Sequence, residues 1–368
     1  VLVKPPKIRT IAVVICAIGL ATAGSLAQER GDQPLADTAL DTSLTDECGG
    51  RSPNPTVPCE RDVARMLLAL PEAAPATPAK PRKVLVLGVS RGFQHSSIPL
   101  TVRTVEEMGK KTGAWTTDVS YHAGSINAKN LEQYDAIFLA HTTGTFLDEP
   151  NPFEEQAVQG VTDARRQAFL DFVRGGKGIA GIHAACDAYH GRVGPRTRPP
   201  FDRNAVPPPC TARVPTPGGG GGVSLWDDYI KLMGGYFKWH WMNPTAITVK
   251  IDDPDSPITA PFHGRSFNVA DEVYTFNDAS WSRENVHVLM SLDYSTLSDC
   301  EKGLESYPRP DHDYGLSWIR REGKGRVFYQ ALGHDESIYY NNPAMLEHIL
   351  AGVQYALGDL EADDSPSR

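Results

Sequence analysis

Lys83-Val-Leu-Val-Leu-Gly-Val-Ser90 is a continuous apolar run bounded by a turn, the pattern of a strand buried on both faces. The loop Arg91–Ser97 leads into a helix that Ser97 can cap and Pro99 can open, running to about Lys111. Trp115–Tyr121 and Asp135–His141 read as second and third strands, and Asp163–Arg174 as an amphipathic helix closed by Gly175-Gly176. Lys177–Ala185 is a further apolar strand running into a small-residue turn. Such alternation predicts an α/β fold with an open, doubly wound, mainly parallel sheet and helices on both faces.

Ligands collect at the carboxyl ends of the strands in sheets of this kind, and the loops carrying His95, His141 and His183 lie at those ends. Trp226–Met233 predicts two helical turns ended by Gly234-Gly235. The pattern then becomes more β-like, at 246–251, 272–276 and 286–292 and in a hairpin over 316–332. Pro343 opens a last helix to about Leu357. The added strands thus belong to the C-terminal half.

Flanking segments differ in character. Lys4, Lys7 and Arg9 precede the apolar run Ile11–Ala21, and Ser25-Leu-Ala27 precedes Gln28, so residues 1–27 read as a secretory signal peptide cleaved after Ala27. An uncleaved anchor is the alternative, although the apolar run is short for a membrane span and no stable span is expected after cleavage. Residues 28–82, rich in proline, read as a linker, 83–359 as the folded domain with a loose Pro/Gly insertion at 191–222, and 360–368 as a polar tail. Export to a periplasmic or extracellular compartment permits disulfides. Cys48 and Cys59 close a short loop and form the natural pair, and Cys210 and Cys300 can make a second bridge.

With 40% apolar and 22% charged residues in 368, the chain can bury a full-sized core, and it is not a disordered or fibrous protein. The formal charge of −9 argues against a nucleic-acid partner and favours a small molecule. Gly218–Gly222 has no Lys-Ser/Thr after it, and no CxxC or GxSxG occurs, so nothing in the sequence calls for a nucleotide cofactor.

The candidate chemistry lies in histidines and carboxylates. Gly181-Ile-His-Ala-Ala185 has the small-x-nucleophile-x-small form of a strand-to-helix elbow that lifts His183 into a cleft, although a histidine in an apolar run can equally be a satisfied core residue. Asp187, four residues on, shares a face with His183 if the elbow enters a helix, and so can orient the imidazole. His334 follows a predicted strand, with Glu336 as an orienting carboxylate. Glu272 and Tyr274 share one side of a strand and Asp271 and Val273 the other.

The catalytic candidates are therefore His183, Asp187, Glu272 and His334. His95 and Ser96 lie at a helix entrance suited to an anion or a sugar hydroxyl. Trp226, Tyr236, Trp239, Trp241 and Tyr274 offer flat rings for stacking against a sugar, with His240 among them. His95, His183, His240 and His334 can together hold one divalent ion, zinc best matching the donors.

These residues carry a resemblance. Gly92-Phe-x-His-x-Ser, Gly181-Ile-His-Ala-Ala-x-Asp187, Gly234-Gly-Tyr-Phe, Asp271-Glu-x-Tyr-x-Phe and Trp318-x-Arg-Arg-x-Gly-Lys-Gly-Arg-Val-Phe-Tyr-x-x-Leu-Gly-His334 together resemble the ThuA-like (trehalose utilisation) family, over about Lys83 to Asp359. The resemblance implies a flavodoxin-like, class I glutamine amidotransferase-like fold. It also implies a role in carbohydrate catabolism, with trehalose-type or 3-keto-disaccharide sugars as the substrate class. Amidotransferases carry a cysteine at the elbow where this chain has His183, and imidazole cannot form their thioester, which argues against a glutaminase. A non-catalytic carbohydrate-binding module is the alternative from a different class.

Overall fold

The computed structural model describes residues 56–150, 158–191, 222–305 and 308–367. The signal peptide, the first part of the linker with Cys48, and the insertion from 192 to 221 lie outside the described residues.

The strands are β1 Lys83–Leu87, β2 Thr116–Ser120, β3 Ala136–Ala140, β4 Gly178–Ile182, the short β5 His190–Gly191 and β6 Val223–Ser224, β7 Phe237–Ile251, β8 Phe267–Phe276, β9 His287–Leu292, β10 Gly315–Glu322 and β11 Gly325–Gln330. The helices are α1 Glu60–Ala69, α2 Ile98–Thr112, α3 Ala128–Leu131, α4 Gln159–Arg174, α5 Asp227–Met233, α6 Asp299–Leu304 and α7 Pro343–Leu357.

Nine strands form one sheet in the order β2-β1-β3-β4-β11-β10-β9-β7-β8. From β2 to β11 every pairing is parallel, and from β11 to β8 every pairing is antiparallel, so the sheet is mixed. The parallel half is the predicted α/β core, and its strands β3 and β4 are buried along their whole length as their unbroken apolar runs require. The hairpin of β10 and β11 joins the two halves.

β7 is longer than the pattern predicts, because the aromatic run Phe237–Trp241 is its first half. Bulges between Phe237 and Trp239 and between Trp241 and Thr245 bend it. Only Val249–Ile251 pair with β9, while Phe237–Trp241 pair with Val273–Phe276 of β8. This ribbon returns over the parallel strands: Phe276 lies against Tyr329, their ring centres 5.9 Å apart, and Tyr274 against His183 at 4.1 Å.

Two local expectations are corrected. Ser97 does not cap α2 through its side chain: its backbone is already helical, its hydroxyl has no hydrogen-bond partner, and its carbonyl accepts from the Thr101 hydroxyl at 2.9 Å. Residues 56–82 are not an extended linker. Met66 and Leu70 of α1 are buried in the core, Gln354 exchanges two hydrogen bonds with the Ala76 backbone, and Arg82 forms a fork to Asp359. The polar tail is tied to the domain. Ser367 donates its amide to Val286, and Asp364 accepts from the Tyr355 hydroxyl at 2.8 Å. Among the described residues no helix is long and apolar enough to cross a membrane.

Candidate active site and metal centre

Four histidines come from the carboxyl ends of four neighbouring parallel strands: His95 after β1, His141 after β3, His183 after β4 and His334 after β11. His141 and His183 both have positive φ, 56° and 44°, unusual for a residue with a Cβ and characteristic of a sharp strand exit. The elbow is therefore real. Its side chain, however, is buried, not exposed at a cleft, because the returning β7–β8 ribbon lays Tyr274 over it.

The protons of His183 can be placed. Its Nδ1 lies 2.6 Å from the carbonyl oxygen of Ala331, which can only accept, so Nδ1 carries a hydrogen. Nε2 then faces Glu272 Oε1 at 3.5 Å and His334 Nδ1 at 3.3 Å, and His334 Nδ1 is 3.4 Å from Glu272 Oε2. With His95, these residues each offer a ligand atom within 4.8 Å of the others.

This donor set fits a metal ion. The separations of 3.3–3.5 Å are long for strong hydrogen bonds. One ligand atom from each of the four residues lies within 4.8 Å of the others, close enough for the set to converge on a single ion. A bare Nε2 lone pair facing a carboxylate also requires a positive charge, which either a proton or a cation supplies. Nδ1 of His95 is buried without a hydrogen-bond partner, as is Nδ1 of His141.

Electrostatics agree. Burial, reinforced by the neighbouring histidines, holds His95 and His141 well below the usual imidazole range. Burial also pushes His334 down to about 4, against the pull of Glu272. Burial opposes ionisation of Glu272, but His240, His183 and His334 outweigh it and bring the carboxyl to about 2. His183 is raised despite its burial because Glu272 favours its charged form. The centre thus pairs a carboxylate held toward its ionised form with a histidine whose charged form it favours, beside imidazoles held toward their neutral form.

Asp271 supports the centre from the other side of β8. Fully buried, it accepts the backbone N–H groups of Gly333 at 2.6 Å and Asp335 at 2.9 Å, which fixes the loop carrying His334. Burial pushes Asp271 up to about 7, with His183 pulling it down. Gly333 has φ 136°, and a Cβ there would meet Ile182 and the Tyr339 hydroxyl at 3.0 Å or less, so only glycine closes this turn. Behind the cluster, His141 Nε2 contacts the hydroxyls of Thr101 and Tyr339 at 2.9 and 3.0 Å. Sequence reasoning left Asp271 out of the site and placed His141 at the ligand-collecting strand ends without giving it a role; the visible signals were a charged pair on a strand and a histidine ending an apolar one.

Several candidates are placed elsewhere. Asp187 pairs with His190 through a short hydrogen bond, not with His183, since His183–Cys186 is a 3-10 turn in which residues four apart do not share a face. Trp239 and Trp241 point away from His240, as strand alternation demands, and are buried; Trp241 donates to the Glu301 carbonyl at 3.0 Å. Trp226 packs among Phe169, Tyr189 and Tyr229.

Tyr236 is buried against His190, with its hydroxyl on the Gly222 carbonyl. Ser96 is exposed and hydrogen-bonds Glu336, which therefore does not orient His334. His240 Nδ1 lies 3.5 Å from Glu272 Oε2 but outside the four-residue donor group, where Glu272 takes the place expected for it. His95, His183, Glu272, His334 and Tyr274 do meet.

No curated protein sequence matches the chain. The solved structure of a ThuA-like protein from Bacteroides uniformis is similar with a TM-score of 0.50 at 18% identity, covering 80% of this chain and 99% of that one. One from Parabacteroides merdae gives 0.45 at 16%, covering 77% and 93%. The former likeness concerns the fold. The ThuA family model, described as trehalose utilisation, matches residues 83–197 and 218–356, and the chain belongs to that family.

Proposed function

We propose that this chain is an exported enzyme of carbohydrate catabolism acting on a trehalose-type or 3-keto-disaccharide sugar by histidine and carboxylate acid/base chemistry at His183, Glu272 and His334, assisted by a divalent ion, zinc by donor type, that His95, His183, Glu272 and His334 would hold when it is bound. The observation that carries it is the set of short edges joining His183 Nε2, Glu272 and His334 Nδ1 in a largely buried centre. When bound there, such an ion supplies Lewis acidity toward a carbonyl or an acidified water.

The protein groups have separable tasks. Ala331 fixes the tautomer of His183, so only Nε2 is available, to bind an ion or, where none is bound, to take or give a proton. Glu272 stabilises the imidazolium that results, as a carboxylate beside a histidine does in acid/base sites. His334 and His240 are half-buried, whereas His95 and His183 are buried. Asp271 holds the loop of His334 through its two backbone amides.

Family membership supports the carbohydrate reading. Export is supported by the charged and apolar pattern of the N-terminal residues. Incubating the purified protein with 3-keto-trehalose and following the carbonyl chromophore tests the assignment. Saturable loss of the carbonyl is expected. Saturable binding with no turnover would instead identify a carbohydrate-binding module.

A further inference from the structure

Asp187 and His190 lie outside the four-residue donor group but on the rim around it. Gly144 links Asp187 to the loop that carries His95: its amide donates to the Asp187 carbonyl at 3.3 Å, and a Cβ there would meet Arg91 and Gly92 at 2.8–2.9 Å. The loops after β1, β3 and β4 therefore stand side by side. On the other flank the His190 ring stacks on Tyr236 and reaches Phe237, with ring centres 5.8 Å apart in each case. Phe237 in turn lies 4.7 Å from Tyr274, which covers His183. The pair thus fills the rim between the exit of β3 and the β7–β8 ribbon.

Both residues are held by the backbone. The Asp187 amide donates to the Ala184 carbonyl at 2.8 Å, and His190 pairs with Ser224 across β5 and β6. A short hydrogen bond joins His190 Nε2 to Asp187 Oδ1, and a carboxylate oxygen accepts, so Nε2 carries the hydrogen and the neutral ring presents its lone pair at Nδ1. Among the described residues Nδ1 has no hydrogen-bond partner, nor has Asp187 Oδ2 or the Tyr274 hydroxyl. Burial, reinforced by the Asp187 charge, pushes that hydroxyl up, so it stays a donor near the carboxylate. The His190 and Asp187 side chains are 14% and 21% exposed, within reach of a solute. A pair that only fastened the chain would gain nothing by leaving such atoms unbonded.

We infer that Asp187, His190 and Tyr274 form the contact for vicinal hydroxyls of the substrate's second sugar ring, the one that does not sit at the histidine centre. The inference rests on the carbohydrate reading given above. Adjacent hydroxyls of a pyranose donate and accept at once, which matches two acceptors beside one donor. The Phe237 and Tyr274 rings stand between His190 and His183, so a sugar held at His190 is not the one whose reacting carbon meets the centre. His190, oriented by Asp187, thereby selects a disaccharide over a single sugar and takes no part in proton transfer. A contact ordered in advance binds without a further cost in side-chain entropy.

Calorimetric titration of 3-keto-trehalose and of 3-keto-glucose into the purified protein tests the inference. His190→Gln keeps a donor where Nε2 meets Asp187 and removes the Nδ1 acceptor, so the tie within the fold survives. This variant, like His190→Ala, should weaken 3-keto-trehalose binding about tenfold and shift the ratio of the two dissociation constants by the same factor. Its urea-unfolding midpoint should stay near that of wild type, whereas His190→Ala should unfold earlier. Wild-type affinity for 3-keto-trehalose in His190→Gln, or an equal loss for both sugars, would refute the contact while the carbohydrate function stands. If wild-type protein binds neither sugar, both are refuted.

Discussion

His183 and Ala331 define the chemistry of the centre: Nδ1 of the imidazole stands 2.6 Å from the carbonyl oxygen, so the proton on that nitrogen is committed and only Nε2 faces Glu272 and His334. The carbonyl is supplied by the residue following β11, the histidine by the residue following β4, and these two strands are paired in register from Arg326 and Gly178 onward. The sheet itself sets the tautomer.

Replacement of His183 should therefore cost stability as well as function. His183→Ala leaves a cavity under Tyr274 and an unpartnered Ala331 carbonyl, for a loss of roughly 2–4 kcal/mol. Urea unfolding of the metal-stripped protein measures it. A loss near zero would mean that the imidazole is not packed as described.

Glu272→Gln keeps the shape of the buried side chain and removes its charge, so the fold should survive. His183 loses the group that favours its charged form, and turnover should fall by about 100-fold or more. The check is kcat/KM on a 3-keto-disaccharide, with circular dichroism to confirm folding.

The α/β core was legible because β1, β3 and β4 are unbroken apolar runs ended by turn formers, and their carboxyl ends pointed to His95, His141 and His183. Exposure was not legible. Small neighbours marked the elbow at His183, but what covers it is Tyr274, some 90 positions away in the chain and brought over it by bulges in β7 that leave no sequence mark. Trp239 and Trp241 were misplaced for a readable reason, since alternation about His240 already puts them on the opposite face. The pairing of Asp187 with His190 depended on a 3-10 turn that single-residue patterns do not distinguish from a helix start.

His348 makes a pH prediction remote from the centre. Burial in α7 lowers its pKa to about 4, while its ring nitrogens bond the Ile258 carbonyl and the Ser317 hydroxyl at 2.9 Å. The unfolded chain takes up this proton first, near pH 6.5, so stability is lost as pH falls from there and the loss levels off below about 4. The contribution is on the order of 3 kcal/mol. His348→Gln should be less stable at pH 7 yet show a shallower decline between pH 6.5 and 4 in denaturant titrations. An unchanged slope would contradict a neutral, buried His348.

Met66, fully buried from α1, tests whether the domain begins before Lys83. Met66→Ala should destabilise by about 2–4 kcal/mol, measured by thermal or urea unfolding. An extended tether at this position would show no change.

The central claim is that His95, His183, Glu272 and His334 form one metal-holding centre. Elemental analysis of untagged protein, purified without chelator and compared with Glu272→Gln, tests it most directly. The account predicts about one divalent ion per wild-type chain, zinc foremost, and loss of that ion in the variant. Metal-free wild-type protein with full turnover, or a variant that retains the ion, would contradict it.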